Sequence, residues 1–312
     1  MTCFCNERVV SFQSEIAEPL GRLRDAYGAG QNPLMTIKDL AVAAYSRLKA
    51  EADLEKLGKL GHPEFGERSY IAFRGRGLLK ENRSRPLNGA LFDASLSPTR
   101  FGARWDDLAS RVDRAKHRLD HPQANAIVYQ AVQSVASCYD VWQPASVKTP
   151  GTFYEIVIGS LFGEVTGLAR GKQISCEVKV AGEAESVNIP TDIVLKTPGK
   201  AAGIVVAAKT STRERISQVF VQQKLLEAIF GEGVYRSMLV SVSEIQHIKG
   251  DLQETCVPGQ VNLYQTHIAK LLGLFYLDPP FRYLTLSKAK VIPVQTVGDL
   301  LGGGLQRLIE KQ

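Results

Sequence analysis

The sequence predicts an α/β (α+β) fold in which helices flank a mixed central sheet, and it places that sheet in the carboxyl-terminal half of the chain. Three observations support this prediction. Short apolar runs with turn signals between them follow residue 150, helical periodicities surround them, and one run is apolar almost throughout, as in a strand buried on both faces. The chain has 312 residues, of which 44% are hydrophobic and 22% charged. It can therefore bury a sizeable core, which excludes a wholly disordered or fibrous protein.

Residues 1–145 are predicted to form a mainly helical region. Apolar residues recur at helical spacing over residues 40–52, 108–119 and 127–139. A basic, glycine-rich segment lies between these helices, and its cationic residues are Arg74, Arg76, Lys80, Arg83 and Arg85. A segment of this composition often follows a phosphate backbone, and a solvated loop is the alternative. The formal net charge of +6 permits a polyanionic partner without requiring one.

Residues 146–312 are predicted to form the mixed sheet with its helices. Thr152 is a plausible N-cap with Glu155 three residues later, which is the spacing of a capping box. The predicted elements that follow are strands at 174–180, 187–195 and 203–209, a helix at 216–230, a strand at 235–242, a helix at 264–274 and a short strand at 283–286.

Three charged residues stand out within this sheet region: Glu155, Asp192 and Lys209. Asp192 interrupts an apolar strand, and Lys209 ends the most apolar strand of the chain. If the two strands are neighbours, the two side chains lie side by side at one edge of the sheet, with the Glu155 helix packed across them. Two carboxylates can hold Mg²⁺ and a lysine can orient a water molecule, which is the chemistry of phosphodiester hydrolysis. The alternative is an Asp192–Lys209 salt bridge with no catalytic role.

The segment directly after Lys209 carries a second signal. Arg213, Glu214 and Arg215 lead from the strand into the start of a helix. Arginine can donate two hydrogen bonds to guanine and glutamate can accept one from cytosine, so this cluster can read adjacent C:G pairs. The alternative is a solvated first helical turn, in which Glu214 is favoured by the helix dipole.

Together these residues resemble the PD-(D/E)XK nuclease core. Pro190-Thr-Asp192 corresponds to the P-D half displaced by one residue, and Lys209-x-x-x-Arg213-Glu214-Arg215 resembles the K-x-x-x-R-(D/E)-R element of type II restriction endonucleases that recognise CCGG, CCNGG and related sites. The resemblance covers roughly residues 150–245. It implies that Asp192 binds the metal with support from Glu155, that Lys209 serves the attacking water, and that the Arg-Glu-Arg cluster reads DNA.

The chain departs from this motif at one acidic position. The residue two before the lysine is Ala207 rather than an acid. Related restriction enzymes often place this acid on the next helix, where the present chain has Gln222 and Gln223. The gaps between the motif residues favour Gln222 as the replacement. The remaining candidates for the missing acid are Glu177, Glu214 and Glu227.

The resemblance implies a Mg²⁺-dependent type II restriction endonuclease that cleaves double-stranded DNA at a short C:G-containing palindrome. We expect a homodimer or a higher oligomer, an intracellular bacterial or archaeal location, and no membrane partner, because no apolar stretch is long enough to span a bilayer. The N-terminal region then contributes DNA binding, through residues such as Arg74 and Arg76, or dimerisation. Two alternatives remain: a structure-specific repair or recombination nuclease on the same core, and a DNA-binding protein that reads C:G pairs without cleaving.

Overall fold

The computed structural model describes residues 11–76, 82–113, 119–180, 183–196, 199 and 202–311, with the side chains of residues 113, 178–180, 183, 184 and 214 left out. Lys80 therefore lies outside the described residues, and so does the side chain of Glu214. None of the helices in the described part of the chain is long and apolar enough to cross a bilayer.

Four helices dominate the first half of the chain, as the sequence predicts. They are α1 (Glu18–Gly28), α2 (Leu34–Glu51), α3 (Pro98–Asp113) and α4 (His121–Trp142). Asp120 caps α4 by accepting a hydrogen bond from the backbone nitrogen of Gln123. The second and fourth helices are packed together, and most residues of α4 are buried on all sides.

Three strands in this half were not predicted from the sequence. They are β1 (Ala52–His62), β2 (Gly66–Gly75) and β3 (Leu87–Asn88), which form an antiparallel sheet of their own. The β1 sequence is rich in Leu, Glu and Lys, which favour helix, and contains no β-branched residue. Its pairing with the apolar, aromatic β2 along ten register positions overrides this local preference.

The second half begins with α5 (Thr149–Thr166), whose start differs from the prediction. Thr152 lies inside this helix rather than at its N-cap, which is Lys148, because Pro150 already occupies the first turn. The helix ends at Gly167 in a left-handed conformation.

A six-stranded sheet then forms the centre of the molecule. Its order is β11-β10-β7-β6-β5-β4, and the strands are β4 (Arg170–Val180), β5 (Glu183–Lys196), β6 (Gly203–Lys209), β7 (Tyr235–Ser243), β10 (Leu274–Asp278) and β11 (Val294–Thr296). β4, β5 and β6 pair antiparallel, whereas β6, β7, β10 and β11 pair parallel. The mixed sheet predicted from the sequence is thus present, and its first four strands lie where they were predicted.

Helices cover both faces of this sheet. One apolar core joins α2, α4 and α5 to one face, and a second core joins α6 (Ile216–Phe230), α7 (Pro258–His267) and α8 (Phe281–Lys288) to the other. Both cores are built from alternate residues of the same strands, such as Val206 on one side and Ala207 on the other. The predicted division after residue 145 falls between α4 and α5, which share the first core.

The elements after residue 243 differ most from the prediction. A small hairpin of β8 (Ile245–Ile248) and β9 (Asp251–Glu254) was not foreseen. The predicted helix at 264–274 ends at His267, and the apolar residues from 274 onward form β10 instead. The predicted strand at 283–286 is part of α8, a helix that begins directly after Pro280 at its N-cap. Two short helices, α9 (Val297–Asp299) and α10 (Leu305–Glu310), end the chain.

Candidate active site

Asp192 and Lys209 lie side by side, as the sequence predicts for neighbouring strands. β5 and β6 are antiparallel with Ile193 opposite Val206, which brings the end of β6 beside Asp192. The Lys209 Nζ atom lies 2.6 Å from Asp192 Oδ2, and the Ala208 backbone nitrogen donates to the same oxygen at 2.9 Å. The Lys209 and Asp192 side chains are 24% and 20% exposed, so substrate and water can reach both.

A cavity of about 300 Å³ opens beside this pair. Gln222 on α6 reaches across it and donates its amide nitrogen to the Pro190 carbonyl oxygen at 2.9 Å. Because a carbonyl oxygen only accepts hydrogen bonds, the amide nitrogen must face Pro190, which leaves the Gln222 amide oxygen available as a ligand. The cavity lining consists of Pro190, Thr191, Asp192, Ala207, Lys209, Gln218, Val219 and Gln222.

Of the candidates for the missing acid whose side chains are described, Gln222 is the one that lines this cavity. Gln223 is buried and holds β7, because its amide donates to the Tyr235 carbonyl and accepts from the Ser237 backbone nitrogen. Glu227 lies further along α6, where it accepts from Gln223. Glu177 lies on an exposed stretch of β4, opposite Ser186 of β5 in the strand register. Ser186 is six residues away from Asp192 along β5, so Glu177 is far from the cavity.

Glu155 approaches the same strand edge from α5 and is half-buried. Burial raises the pKa of this carboxyl group, and the negative charge of Asp192 raises it further, whereas Lys209 and Lys172 lower it. The two carboxylates are therefore close enough to repel each other. A cation between them relieves this repulsion, which is the electrostatic condition for a metal site.

The Arg-Glu-Arg cluster forms one turn of 3₁₀ helix, Arg213–Arg215, between β6 and α6. The side chains of Arg213 and Arg215 are exposed, and Glu214 is described by its backbone alone. Arg213 has a φ of 32°, a left-handed conformation that costs a non-glycine residue about 1–2 kcal/mol. Surrounding contacts must hold this turn in place.

Glu244, which the sequence analysis did not single out, provides those contacts. It is fully buried at the end of β7, and its Oε1 atom accepts from the Thr212 backbone nitrogen at 2.8 Å, the Thr212 hydroxyl at 2.5 Å and the Tyr276 hydroxyl at 3.1 Å. Its Oε2 atom lies 3.5 Å from the Arg213 backbone nitrogen. An acid placed directly after a buried strand was the available sequence signal.

We expect Glu244→Gln to lower the free energy of unfolding by about 1–3 kcal/mol, because its amide nitrogen then faces a backbone N–H donor. Burial raises the pKa of Glu244 above its ordinary value. The folded state thus binds a proton that the unfolded state has lost, and wild-type stability falls as the pH rises above about 4. The difference in the free energy of unfolding between wild type and Glu244→Gln should therefore become smaller as the pH rises. Urea denaturation at several pH values measures this difference. Glu232→Gln, on an exposed loop, is the control, and a pH-independent difference would contradict the prediction.

The predicted phosphate contacts Arg74 and Arg76 lie at the end of β2, and both are paired with acids. Arg76 Nε lies 2.6 Å from Asp53, and Arg74 lies 3.3 Å from Glu55. Arg74 also forms a β-bridge with Arg83, which lines a polar cavity of about 550 Å³. Thr210 and Ser211, which connect Lys209 to the Arg-Glu-Arg turn, form part of the same cavity wall. The basic segment thus adjoins the proposed reading element, although Arg85 is held in an ion pair with Asp140.

Solved structures provide the matches to known proteins. No protein-family model matches the chain, and no curated protein matches it. The crystal structure of the type IIP restriction endonuclease Kpn2I is similar with a TM-score of 0.79 and 28% sequence identity, over 95% of this chain and 97% of that chain. The complex of restriction endonuclease PspGI with substrate DNA has a TM-score of 0.45 and 13% identity, over 71% of this chain and 98% of that chain.

The likeness to Kpn2I confirms the predicted fold class, a mixed α/β fold of the restriction endonuclease type. It also includes the N-terminal helices, which the resemblance drawn from sequence motifs did not reach. Kpn2I is a restriction endonuclease, and the likeness to it supports the interpretation of the chain as a site-specific nuclease.

Proposed function

We propose that this chain is a Mg²⁺-dependent type II restriction endonuclease that hydrolyses double-stranded DNA at a short C:G-containing palindrome. The observation that carries the proposal is the Asp192–Lys209 pair at 2.6 Å, followed after three intervening residues by the turn Arg213–Arg215, whose two arginine side chains are exposed. The Kpn2I-like fold over nearly the whole chain supports it.

The residues at the cavity fit a hard divalent cation. Asp192 and Gln222 line the cavity and offer a carboxylate and an amide oxygen, and Glu155, whose charge interacts with that of Asp192, would add a carboxylate oxygen from α5. The Thr191 hydroxyl in the same lining is buried without a hydrogen-bond partner among the described residues. Within the described ranges no group of three or more His, Cys, Asp or Glu side chains is placed to hold a metal. Mg²⁺ commonly takes one or two carboxylates and completes its shell with water and phosphate oxygens, so the donor set suffices.

In this mechanism Lys209 orients the water that attacks the phosphorus atom in line with the leaving oxygen. Its hydrogen bond to Asp192 Oδ2 holds the ammonium group at the cavity. When bound, Mg²⁺ stabilises the negative charge that develops on the phosphate. Because palindromic sites have twofold symmetry, a symmetric dimer is the assembly that matches them.

The test is incubation of the purified protein with phage DNA, with and without Mg²⁺, followed by sequencing of the fragment ends. Discrete fragments whose ends share a C:G-containing palindrome support the proposal. Fragment ends without a common sequence would point to a repair-type nuclease instead. The second candidate function is a DNA-binding protein that does not cleave, and it is supported by the glutamine at the position where an acid is expected. Sequence-specific binding without cleavage would favour this candidate.

Gln222→Glu should lower the Mg²⁺ concentration for half-maximal cleavage by about tenfold, because metal affinity rises with ligand charge. Gln222→Ala should raise that concentration, since it removes the amide oxygen. The measurement is a Mg²⁺ titration of the cleavage rate, with Gln253→Glu on exposed β9 as the control. Identical titrations for all variants would exclude Gln222 from the metal site.

Arg213→Ala should weaken specific DNA binding by about 1–3 kcal/mol for each lost base contact. Binding to a random duplex should change much less, because non-specific affinity comes from phosphate contacts. Both affinities can be measured by fluorescence anisotropy with Mg²⁺ withheld, using Arg307→Ala on the C-terminal helix as the control. An unchanged ratio of specific to random binding would remove Arg213 from base reading.

A further inference from the structure

β4 contains an irregularity directly opposite the catalytic aspartate. Gly171 pairs with Val194, yet Gln173 pairs with Pro190. A single residue of β4, Lys172, therefore stands opposite three residues of β5, and Asp192 is the middle one. Bulges next to active sites commonly re-aim a side chain toward the site.

Tyr27 on α1 holds the Lys172 side chain at this place. The Lys172 Nζ atom lies 5.3 Å from the centre of the Tyr27 ring, within the range of a cation–π contact. Tyr27 is itself anchored beside Glu155, because its hydroxyl packs against Gly159, one helical turn further along α5. A Cβ atom at Gly159 would lie 1.9 Å from that hydroxyl oxygen.

The ammonium group of Lys172 is exposed and makes no hydrogen bond or ion pair with any described residue. Arg170, which stacks on the same ring at 4.6 Å, is by contrast occupied by the Ser160 hydroxyl and the Gln31 carbonyl oxygen. Lys172 is thus a lysine with free donors that stands opposite Asp192 in the strand register, and its charge lowers the pKa of Glu155.

A cavity of about 810 Å³ extends from Lys172 away from the catalytic pair. It lies between α1, the end of α5 and the start of β4, and its wall is open at Gly28, Gly30 and Gly167, where no atom lies within 4 Å of the position that a Cβ atom would take. A bulky chain can therefore approach the backbone closely at these three glycines.

We propose that Lys172 binds a backbone phosphate of the cleaved DNA strand adjacent to the scissile phosphate, and that this glycine-lined cavity is the path of the strand away from the active site. The inference rests on the proposed function and deepens it. Lys172 acts here as a substrate-binding residue. Lys209 remains the residue that orients the attacking water.

The test compares the salt dependence of DNA binding between wild type and three variants, with Mg²⁺ withheld and a short random duplex as the probe. Each phosphate contact contributes about one power of salt concentration to the affinity. Lys172→Ala should therefore reduce the slope of log affinity against log salt by about one and weaken binding about tenfold near 0.1 M salt. Lys172→Arg, which keeps the charge, should restore the slope. Lys270→Ala should match wild type, because Lys270 is exposed just before β10, which lies four strands away from β4 in the sheet.

Cleavage at saturating DNA supplies the second readout. Lys172→Ala should keep its maximal rate in Mg²⁺ and require more DNA to reach it. If the salt dependence of DNA binding by Lys172→Ala has the wild-type slope, the inference is overturned. If the maximal cleavage rate also falls while that slope stays at its wild-type value, Lys172 acts on the carboxylates instead of on the DNA. A wild-type protein that binds no DNA overturns the proposed function itself.

Discussion

Lys209→Ala is expected to reduce the rate of DNA cleavage by about 10²–10⁴-fold while DNA binding is retained. Lys209 Nζ is the one ammonium bonded to Asp192 among the described residues, so the substitution removes the group that orients the water. Asp192 keeps the hydrogen bond from the Ala208 backbone nitrogen and remains in position. The measurement is the single-turnover cleavage rate at saturating protein and Mg²⁺.

The same variant separates a catalytic pair from a structural salt bridge. A partly exposed ion pair contributes about 0–1 kcal/mol to stability, so Lys209→Ala should unfold close to the wild-type midpoint. Lys270→Ala serves as the control for loss of one positive charge at the opposite end of the parallel strands. A cleavage rate within tenfold of wild type, with normal folding, would show that the pair has no catalytic role.

Asp278→Ala is expected to lower the free energy of unfolding by about 3–5 kcal/mol, because it breaks a buried ion pair by removing one partner. Asp278 is 1% exposed at the end of β10. Its Oδ1 atom accepts from Arg68 Nη1 at 2.9 Å and from Asn88 Nδ2 at 2.8 Å, and its Oδ2 atom accepts from the Tyr70 hydroxyl at 3.1 Å. The alanine variant removes the acceptor of the buried Asn88 and Tyr70 side chains and the carboxylate partner of Arg68, which is left with the Pro279 carbonyl oxygen.

These contacts join the two halves of the chain. Arg68 and Tyr70 belong to β2 and Asn88 to β3, whereas Asp278 belongs to the central sheet. Arg68 is further held by the Pro279 carbonyl oxygen at 2.6 Å and by stacking on Phe281. Loss of Asp278 should therefore release the N-terminal sheet from the end of β10, next to the buried Glu244 that holds the Arg-Glu-Arg turn.

Urea denaturation measures this cost, with Asp251→Ala on exposed β9 expected to stay within about 0.5 kcal/mol of wild type. Asp278→Asn tests the charge separately, since it keeps the volume and one acceptor oxygen. A loss below about 1 kcal/mol for Asp278→Ala would show that other contacts fix the N-terminal sheet.

Local sequence patterns predicted the strands that carry Asp192 and Lys209 well. The strands around Asp192 and Lys209 and the helix that ends before Gly231 lie where periodicity placed them, because each has a clear apolar pattern bounded by turn residues. The prediction failed for β1, whose Leu, Glu and Lys residues favour helix and which is a strand because β2 pairs with it. It failed again for β10, because the predicted helix ended at Leu274, the first residue of this strand, and no strand was predicted after it.

The sequence by itself determined the fold class, the Asp192–Lys209 pair and the position of the Arg-Glu-Arg turn directly after it, because these depend on short-range pattern and on neighbouring strands. The motif gaps already favoured Gln222, but only the tertiary structure showed that Gln222 lines the cavity whereas Gln223 holds β7. The tertiary structure alone also showed that Glu244 holds the turn and that Lys172 stands opposite Asp192. The rotation of α6 about its axis decides which glutamine faces the cavity. The contacts of Glu244 depend on the neighbouring strands β6, β7 and β10, and the position of Lys172 depends on the bulge in β4. Each depends on how distant segments pack, which no local pattern of residues encodes.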